Sequence, residues 1–296
     1  MEKILITGGS GFLGGHLVET AKSIYKIFST YLTRPSDSKD VSWIKLDLSN
    51  FNELSKTIIE INPRFIIHNA AMARVDDCED RRDTAYAVNI LSSGVLAETA
   101  KKIGARLIYI STDLIFSGND PPYLEEDRPS PLSYYGWTKW QGELKVKEST
   151  PDHIIVRPGI IFGPPALQGT SFSEWMRNSW LKGESTPLFV DQYRTPLYAG
   201  TLARSILELL DQNYTGCLHI AGRERINRYD FGIIFAEHLG LDLVLLKPIK
   251  MAELPSKVKR PSDVSLNIDK AKKLLKTKLP DILDGIRMAY PEEYCQ

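Results

Sequence analysis

Tyr135 and Lys139 stand four residues apart in Tyr135-Gly136-Trp137-Thr138-Lys139, and Ser111-Thr112-Asp113 lies upstream at the end of the apolar run Arg106 to Ile110. A phenol, an amine one helical turn away and a hydroxyl can together move a proton at a carbonyl oxygen. Reducing a ketone requires a hydride on carbon and a proton on oxygen. A free phenol titrates near a pKa of about 10. An ammonium beside it favours the phenolate, so Lys139 is expected to lower the pKa of Tyr135. Thr112 would orient the carbonyl and stabilise developing negative charge. Asp113, next in the chain, is a candidate to touch the substrate. The Tyr-x-x-x-Lys spacing is common by chance, so the reading needs a hydride source beside it.

A dinucleotide cradle would supply that source. Thr7-Gly8-Gly9-Ser10-Gly11-Phe12-Leu13-Gly14 follows the apolar run Ile4-Leu5-Ile6. The chain there must turn sharply from strand to helix, let its backbone approach a pyrophosphate and pack the helix tightly on the strand. Free N–H groups at the helix start would face phosphates. The candidate cofactor residues are Gly8, Ser10, Gly11, Phe12, Leu13 and Gly14, spaced G-x-x-G-x-x-G rather than G-x-G-x-x-G. The next strand, Ile27 to Leu32, ends in Thr33-Arg34, where an NAD-preferring fold usually carries a carboxylate. A guanidinium suits a 2′-phosphate. NADP(H) is therefore the expected cofactor, with NAD(H) possible and a plain surface Arg34 as the alternative. Asp47-Leu48 ends the strand Trp43 to Leu46 and is either an adenine contact or a helix cap. Asn69-Ala70-Ala71, after Arg64 to His68, is small enough to lie against a cofactor, and Ser111 and Thr112 face the same crevice.

The elements that must position these residues alternate strand and helix to about Ile161. This predicts an α/β fold with a doubly wound, parallel Rossmann-type sheet over residues 1–161. Gly163-Pro164-Pro165 breaks the pattern, and residues 162–296 are expected to be mainly a smaller C-terminal substrate lobe, with some later segments returning to the sheet. Phe172, Trp175, Met176 and Trp180 read as packing between lobes rather than substrate stacking. The tail from Pro291 is expected to be loose. Lys plus Arg and Asp plus Glu are both 37, so no basic excess argues for nucleic acid. No apolar run matches a membrane span, and the first one runs directly into the glycine motif, so neither a membrane segment nor a signal peptide is expected. Cys78, Cys217 and Cys295 are few and scattered, which predicts reduced thiols in a cytoplasmic protein. The five His residues offer no metal-ligand spacing, and His68 and His153 read as satisfied imidazoles in apolar strands.

At these residues the chain resembles the extended short-chain dehydrogenase/reductases, and within them the dTDP-4-dehydrorhamnose reductase family. The likeness runs nearly end to end. It is carried by Ile4 to Gly14, Asn69-Ala70-Ala71, Ala85 to Asn89, Ser111 to Phe116, Tyr123 to Asp127, Pro131, Tyr135 to Lys139, Val156-Arg157, Asp191-Gln192 and Arg260-Pro261-Ser262. The resemblance implies an NADP(H)-dependent reductase of a nucleotide-linked 4-keto-6-deoxy sugar, as in dTDP-rhamnose biosynthesis, and a possible homodimer. It makes Thr112 the hydroxyl, Tyr135 the acid and Lys139 its partner and a ribose contact. It makes Asn89 a helix residue supporting Lys139 through water. Gln192 and Arg194 would border the sugar nucleotide, with Arg194 facing the diphosphate or lying in a surface ion pair. Related 4,6-dehydratases carry Glu where this chain has Leu114, which cannot transfer a proton, so dehydration is not expected. Two departures concern substrate. Arg157-Pro158-Gly159-Ile160 lacks the Trp that many members carry, and Arg194 stands where many have Gly. The rival readings are a sugar-nucleotide epimerase that recycles its cofactor and a non-catalytic subunit like the regulatory subunit of methionine adenosyltransferase.

Overall fold

The computed structural model of the chain describes residues 1–254 and 256–294. Cys295 lies outside them. Seven parallel strands form one sheet. From one edge to the other they are Gly216–Ile220, His153–Pro158, Arg106–Ile110, Phe65–His68, Lys3–Thr7, Lys26–Tyr31 and Val41–Lys45. Lys3–Thr7 pairs with Lys26–Tyr31 on one side and with Phe65–His68 on the other, so the winding direction reverses there. A crevice opens beyond the carboxyl ends of strands at such a reversal.

The run Ile4-Leu5-Ile6 has no alternation because both faces of the sheet are covered. Ile4 and Ile6 pack with Leu13, Leu17 and Val18 of helix Phe12–Ala21 and with Leu202 and Ile206 of helix Ala199–Glu208. Leu5 points to the opposite layer, built by Leu54, Ile58, Leu96 and Ala97 of helices Phe51–Ile61 and Ser92–Ile103. Period-two side chains on the strands and helical stripes on the helices interlock into two apolar layers.

The smaller lobe has its own core of Phe162, Met176, Trp180, Leu188, Phe231, Phe235 and Tyr290. Met176 and Trp180 thus pack within this lobe rather than between lobes, while Trp175 is exposed. Gly216–Ile220 leaves the C-terminal half and forms the sheet edge. The tail expected to be loose holds a short 3₁₀ turn, Glu292–Tyr294, with the Tyr294 ring edge-on to Tyr290. Among the described residues, no helix is long and apolar enough to cross a membrane.

Candidate active site

An open cavity of about 830 Å³ lies above the carboxyl ends of the central strands. Its walls come from the glycine turn, the ends of the strands and the smaller lobe, so the fold gathers distant segments at one place. Gly8, Ser10, Gly11, Phe12, Leu13, Asp47, Leu48, Asn69, Ala70, Ala71, Ser111, Thr112, Asp113, Tyr135, Lys139, Gln192 and Arg194 all line it. Of the residues expected at the cofactor, Gly14, Arg34 and Asn89 do not.

The glycine turn explains itself sterically. Gly8 has φ +68°, and a Cβ there would lie 2.8 Å from Ala70 Cα. A Cβ on Gly14 would sit 2.1 Å from the Gly8 carbonyl oxygen. Gly14 therefore sets how closely helix Phe12–Ala21 seats against the turn, without facing the cavity. Gly11 caps that helix with no side-chain acceptor, and its first turn holds no acidic residue, which leaves the positive end of the helix at the crevice. Thr7 Oγ1 accepts from the N–H groups of Asn69 and Ala70, both at 3.1 Å, and so ties the two central strand ends together. This cradle, closed to any added Cβ and bordered by helix N–H groups, fits a dinucleotide pyrophosphate. Gly14→Ala should cost about 1–3 kcal/mol through overpacking. Lower thermal stability together with weaker NADPH binding by calorimetry is the expected result; unchanged affinity would detach Gly14 from the cradle.

Asp47 is not the cap of the following helix. Its Oδ1 accepts from Ser49 N at 2.9 Å and Ser49 Oγ at 2.7 Å, while Asn50 caps helix Phe51–Ile61 by accepting from Glu53 N. Arg34 is exposed at the rim beside Thr33, which does line the cavity.

Helix Tyr134–Ser149 carries the Tyr and the Lys. Ser133 caps it by accepting from Gly136 N. Tyr135 and Lys139 are both buried on the face turned to the strand ends. Thr112 accepts from Leu114 N at 3.2 Å and its hydroxyl donates to Asp113 Oδ1 at 3.3 Å. The Tyr135 phenol is pushed well above its ordinary pKa by burial, and a hydrogen bond with Thr112 pulls only partly the other way. The expected lowering by Lys139 is absent because burial acts first on the amine as well, bringing it down to about 7. Lys139 Nζ rests 4.1 Å from the centre of the Tyr109 ring and feels Glu143 one turn further along.

Asn89 does not reach the cavity. It lies in a π-turn, Ala87–Leu91, and clamps Met72 through both backbone groups at 2.9 and 3.0 Å. Its Nδ2 also donates to Thr138 Oγ1 at 3.0 Å, next to Lys139. The Asn therefore holds the Lys-bearing helix by direct bonds. Ser111 donates to Glu143 Oε1 at 2.5 Å, and Arg157 donates to both Glu143 oxygens at 2.9 and 2.7 Å. The sequence reading missed Glu143, although it sits at i+4 from Lys139 and i+8 from Tyr135, the spacing of one buried helix face. His68 is neutral in the core, brought down to about 3 by burial, with Thr7 and Ser93 as partners.

Arg194 lines the cavity, but its two terminal nitrogens donate to the backbone carbonyls of Tyr193, Pro261 and Ser262. Three of its five N–H donors are therefore spent on the carbonyls of Tyr193, Pro261 and Ser262. Arg228, Lys259 and Arg260 also line the cavity, and none was singled out from sequence as a site residue. Arg228 carries no local motif. Arg260-Pro261 does carry part of the family likeness, which is the signal that could have found it.

A parallel dinucleotide sheet with a Thr, Tyr and Lys constellation at its carboxyl edge and a small covering lobe defines the extended short-chain dehydrogenase type. The RmlD substrate binding domain model matches residues 1–294, and the chain belongs to that family. A probable low-salt glycan biosynthesis reductase, Agl14 of Haloferax volcanii, is 30% identical over 287 residues, 95% of each chain. Methionine adenosyltransferase 2 subunit beta of Bos taurus is 31% identical over 263 residues, 83% of this chain and 75% of its own length. The crystal structure of dTDP-4-dehydrorhamnose reductase from Bacillus anthracis in complex with NADP superposes with a TM-score of 0.86 at 26% identity, covering 98% of this chain and 99% of that one.

Proposed function

We propose that this protein is an NADP(H)-dependent reductase of a nucleotide-linked 4-keto-6-deoxy sugar, acting in the cytoplasm. The observation that carries the reading is the meeting of Thr112, Tyr135 and Lys139 with the glycine cradle in one cavity. Gly8, Ser10, Gly11, Phe12 and Leu13 would hold the pyrophosphate, and Asn69, Ala70, Ala71 and Ser111 would border the rest of the dinucleotide. Asp47 and Leu48 would border the adenine. When bound, the nicotinamide supplies the hydride.

The chain's own residues handle the proton. Reduction needs a protonated acid at the carbonyl oxygen, and a phenol, with an ordinary pKa of about 10, is protonated at neutral pH; burial of Tyr135 moves it further in that direction. Tyr135 donates that proton as negative charge grows on the oxygen. Thr112, which lines the cavity with Tyr135, orients the carbonyl. Lys139 would bond the nicotinamide ribose and, in its ammonium form, would stabilise the phenolate as it forms. Gln192 and Arg194 border the sugar nucleotide from the lobe. The NADP complex of the Bacillus anthracis reductase supports the choice of cofactor.

Arg34, exposed at the end of strand Lys26–Tyr31, is proposed to read the 2′-phosphate. Arg34→Ala should weaken NADPH roughly 10-fold more than NADH, the size of one lost charged hydrogen bond. Equal effects on both cofactors would leave Arg34 a surface residue.

Incubation with NADPH and a panel of nucleotide-linked 4-keto sugars, followed at the nicotinamide absorbance, tests the reading. Stoichiometric oxidation supports a reductase. Turnover of sugar without net oxidation supports an epimerase. Dinucleotide binding without turnover supports a regulatory subunit, the reading favoured by the likeness to methionine adenosyltransferase 2 subunit beta.

A further inference from the structure

Among the described residues, two buried polar atoms of residues that line the cavity have no partner: Asp113 Oδ2 and Arg228 Nη1. Asp113 is 5% exposed, and its carboxylate acts electrostatically on the Tyr135 phenol. Its other oxygen is engaged by the Thr112 hydroxyl. Arg228 opens helix Arg228–Leu239 of the small lobe. Its Nε donates to Gln192 Oε1 at 3.2 Å, and its guanidinium lies 4.5 Å from the centre of the Phe172 ring. Those contacts fix the group and leave Nη1 unspent.

A buried polar atom without a partner costs about 1–3 kcal/mol, more for a charged group. An arrangement that keeps one such acceptor and one such donor in the same cavity points to a ligand that satisfies both. The charges narrow its chemistry. Asp113 and Arg228 act on each other electrostatically, and Arg194 acts on both. Burial raises the pKa of the Asp113 carboxyl, and Arg194 and Arg228 pull it back down. An anion at this point would face the Asp113 carboxylate, and a cation would face Arg228 and Arg194. A neutral hydroxyl meets neither objection, because it donates through its hydrogen and accepts through its oxygen.

We propose that Asp113 and Arg228 form a specificity-determining pair that grips one sugar hydroxyl, which donates to Asp113 Oδ2 and accepts from Arg228 Nη1. The proposal rests on the reductase reading for which hydroxyl this is. With the carbonyl oxygen at Tyr135, the group beside Asp113 is the hydroxyl on the neighbouring ring carbon, the 3-hydroxyl of a 4-keto-6-deoxy sugar. The enzyme would then reject sugars deoxygenated there, since removing the hydroxyl leaves one buried acceptor atom and one buried donor atom without a partner.

Calorimetric binding to the full-length protein loaded with NADP⁺ tests this without turnover. The ligands are dTDP-4-keto-6-deoxyglucose and its 3-deoxy counterpart. The parent should bind the hydroxylated sugar tighter by on the order of 10–100-fold. Asp113→Asn and Arg228→Met should each reduce that ratio to within about threefold by weakening the hydroxylated sugar, with NADP⁺ affinity unchanged as the check on folding. Arg228→Lys, which restores a donor, should recover part of the ratio. If one variant does not fold, the other decides. Equal binding of the two sugars by the parent, binding of neither, or a parental ratio in the folded variants would overturn the pair. NADPH oxidation with the same sugars is scored separately. Discrimination in binding without oxidation keeps the pair and rejects the reductase, while oxidation indifferent to the hydroxyl rejects the pair alone.

Discussion

Tyr135→Phe should lose roughly 10²–10⁴-fold in turnover with a keto-sugar while NADPH binding survives, because the change removes an acid and keeps the ring. The ring is buried with Cys78, Ala85 and Leu114, so its shape is used in packing and the change leaves that packing in place. Steady-state kinetics and a separate NADPH titration divide the two effects. The loss should fall on kcat, since proton donation contributes only as charge builds on the oxygen. Turnover within a few-fold of the parent would remove Tyr135 from the mechanism and leave the phenol a core residue.

The second large effect lies beneath the site. Glu143 is fully buried and Arg157 is 2% exposed, and they share a bidentate pair. Glu143→Gln should cost about 3–5 kcal/mol of stability in denaturant unfolding, because it takes the countercharge from the buried Arg157 guanidinium and leaves it the Glu125 carbonyl and His219. Ser111 loses its carboxylate acceptor in the same step. Replacing both partners, Glu143→Leu with Arg157→Met, should recover much of the loss, since an apolar pair of similar volume leaves no charge behind. Equal destabilisation by the single and double changes would mean that packing, not stranded charge, sets the cost. The pair joins helix Tyr134–Ser149 to strand His153–Pro158, so the helix that presents Tyr135 and Lys139 is anchored by charge from below.

What could be read from the chain was what is encoded locally. The turn from Thr7 to Gly14 announces itself because a backbone approach of this kind tolerates no Cβ. Tyr135 and Lys139 fall within five residues, and an i, i+4 pair is a short-range pattern. The parallel sheet followed from uninterrupted apolar runs such as Ile4 to Ile6 and Phe65 to Ile67. Arg228 was not legible, because nothing near it in sequence marks it. It reaches the cavity only because its helix packs through Phe231 and Phe235 into the small lobe's core. Arg194 was legible as a residue but not in its bonding, which depends on carbonyls at 261 and 262. The Tyr135 pKa was misjudged from spacing, since burial of both groups outweighs a neighbouring amine, and burial is a property of the assembled fold.

The central claim is hydride transfer to a carbonyl carbon beside Tyr135. NADPH carrying deuterium at the reactive nicotinamide carbon, incubated with a nucleotide-linked 4-keto-6-deoxy sugar, tests it most directly, with the label located by NMR of the product. One deuterium on the former carbonyl carbon is expected for each NADPH oxidised, with no transfer in Tyr135→Phe beyond a residual rate. Label that stays on the nicotinamide while the dinucleotide remains bound and unoxidised would contradict it.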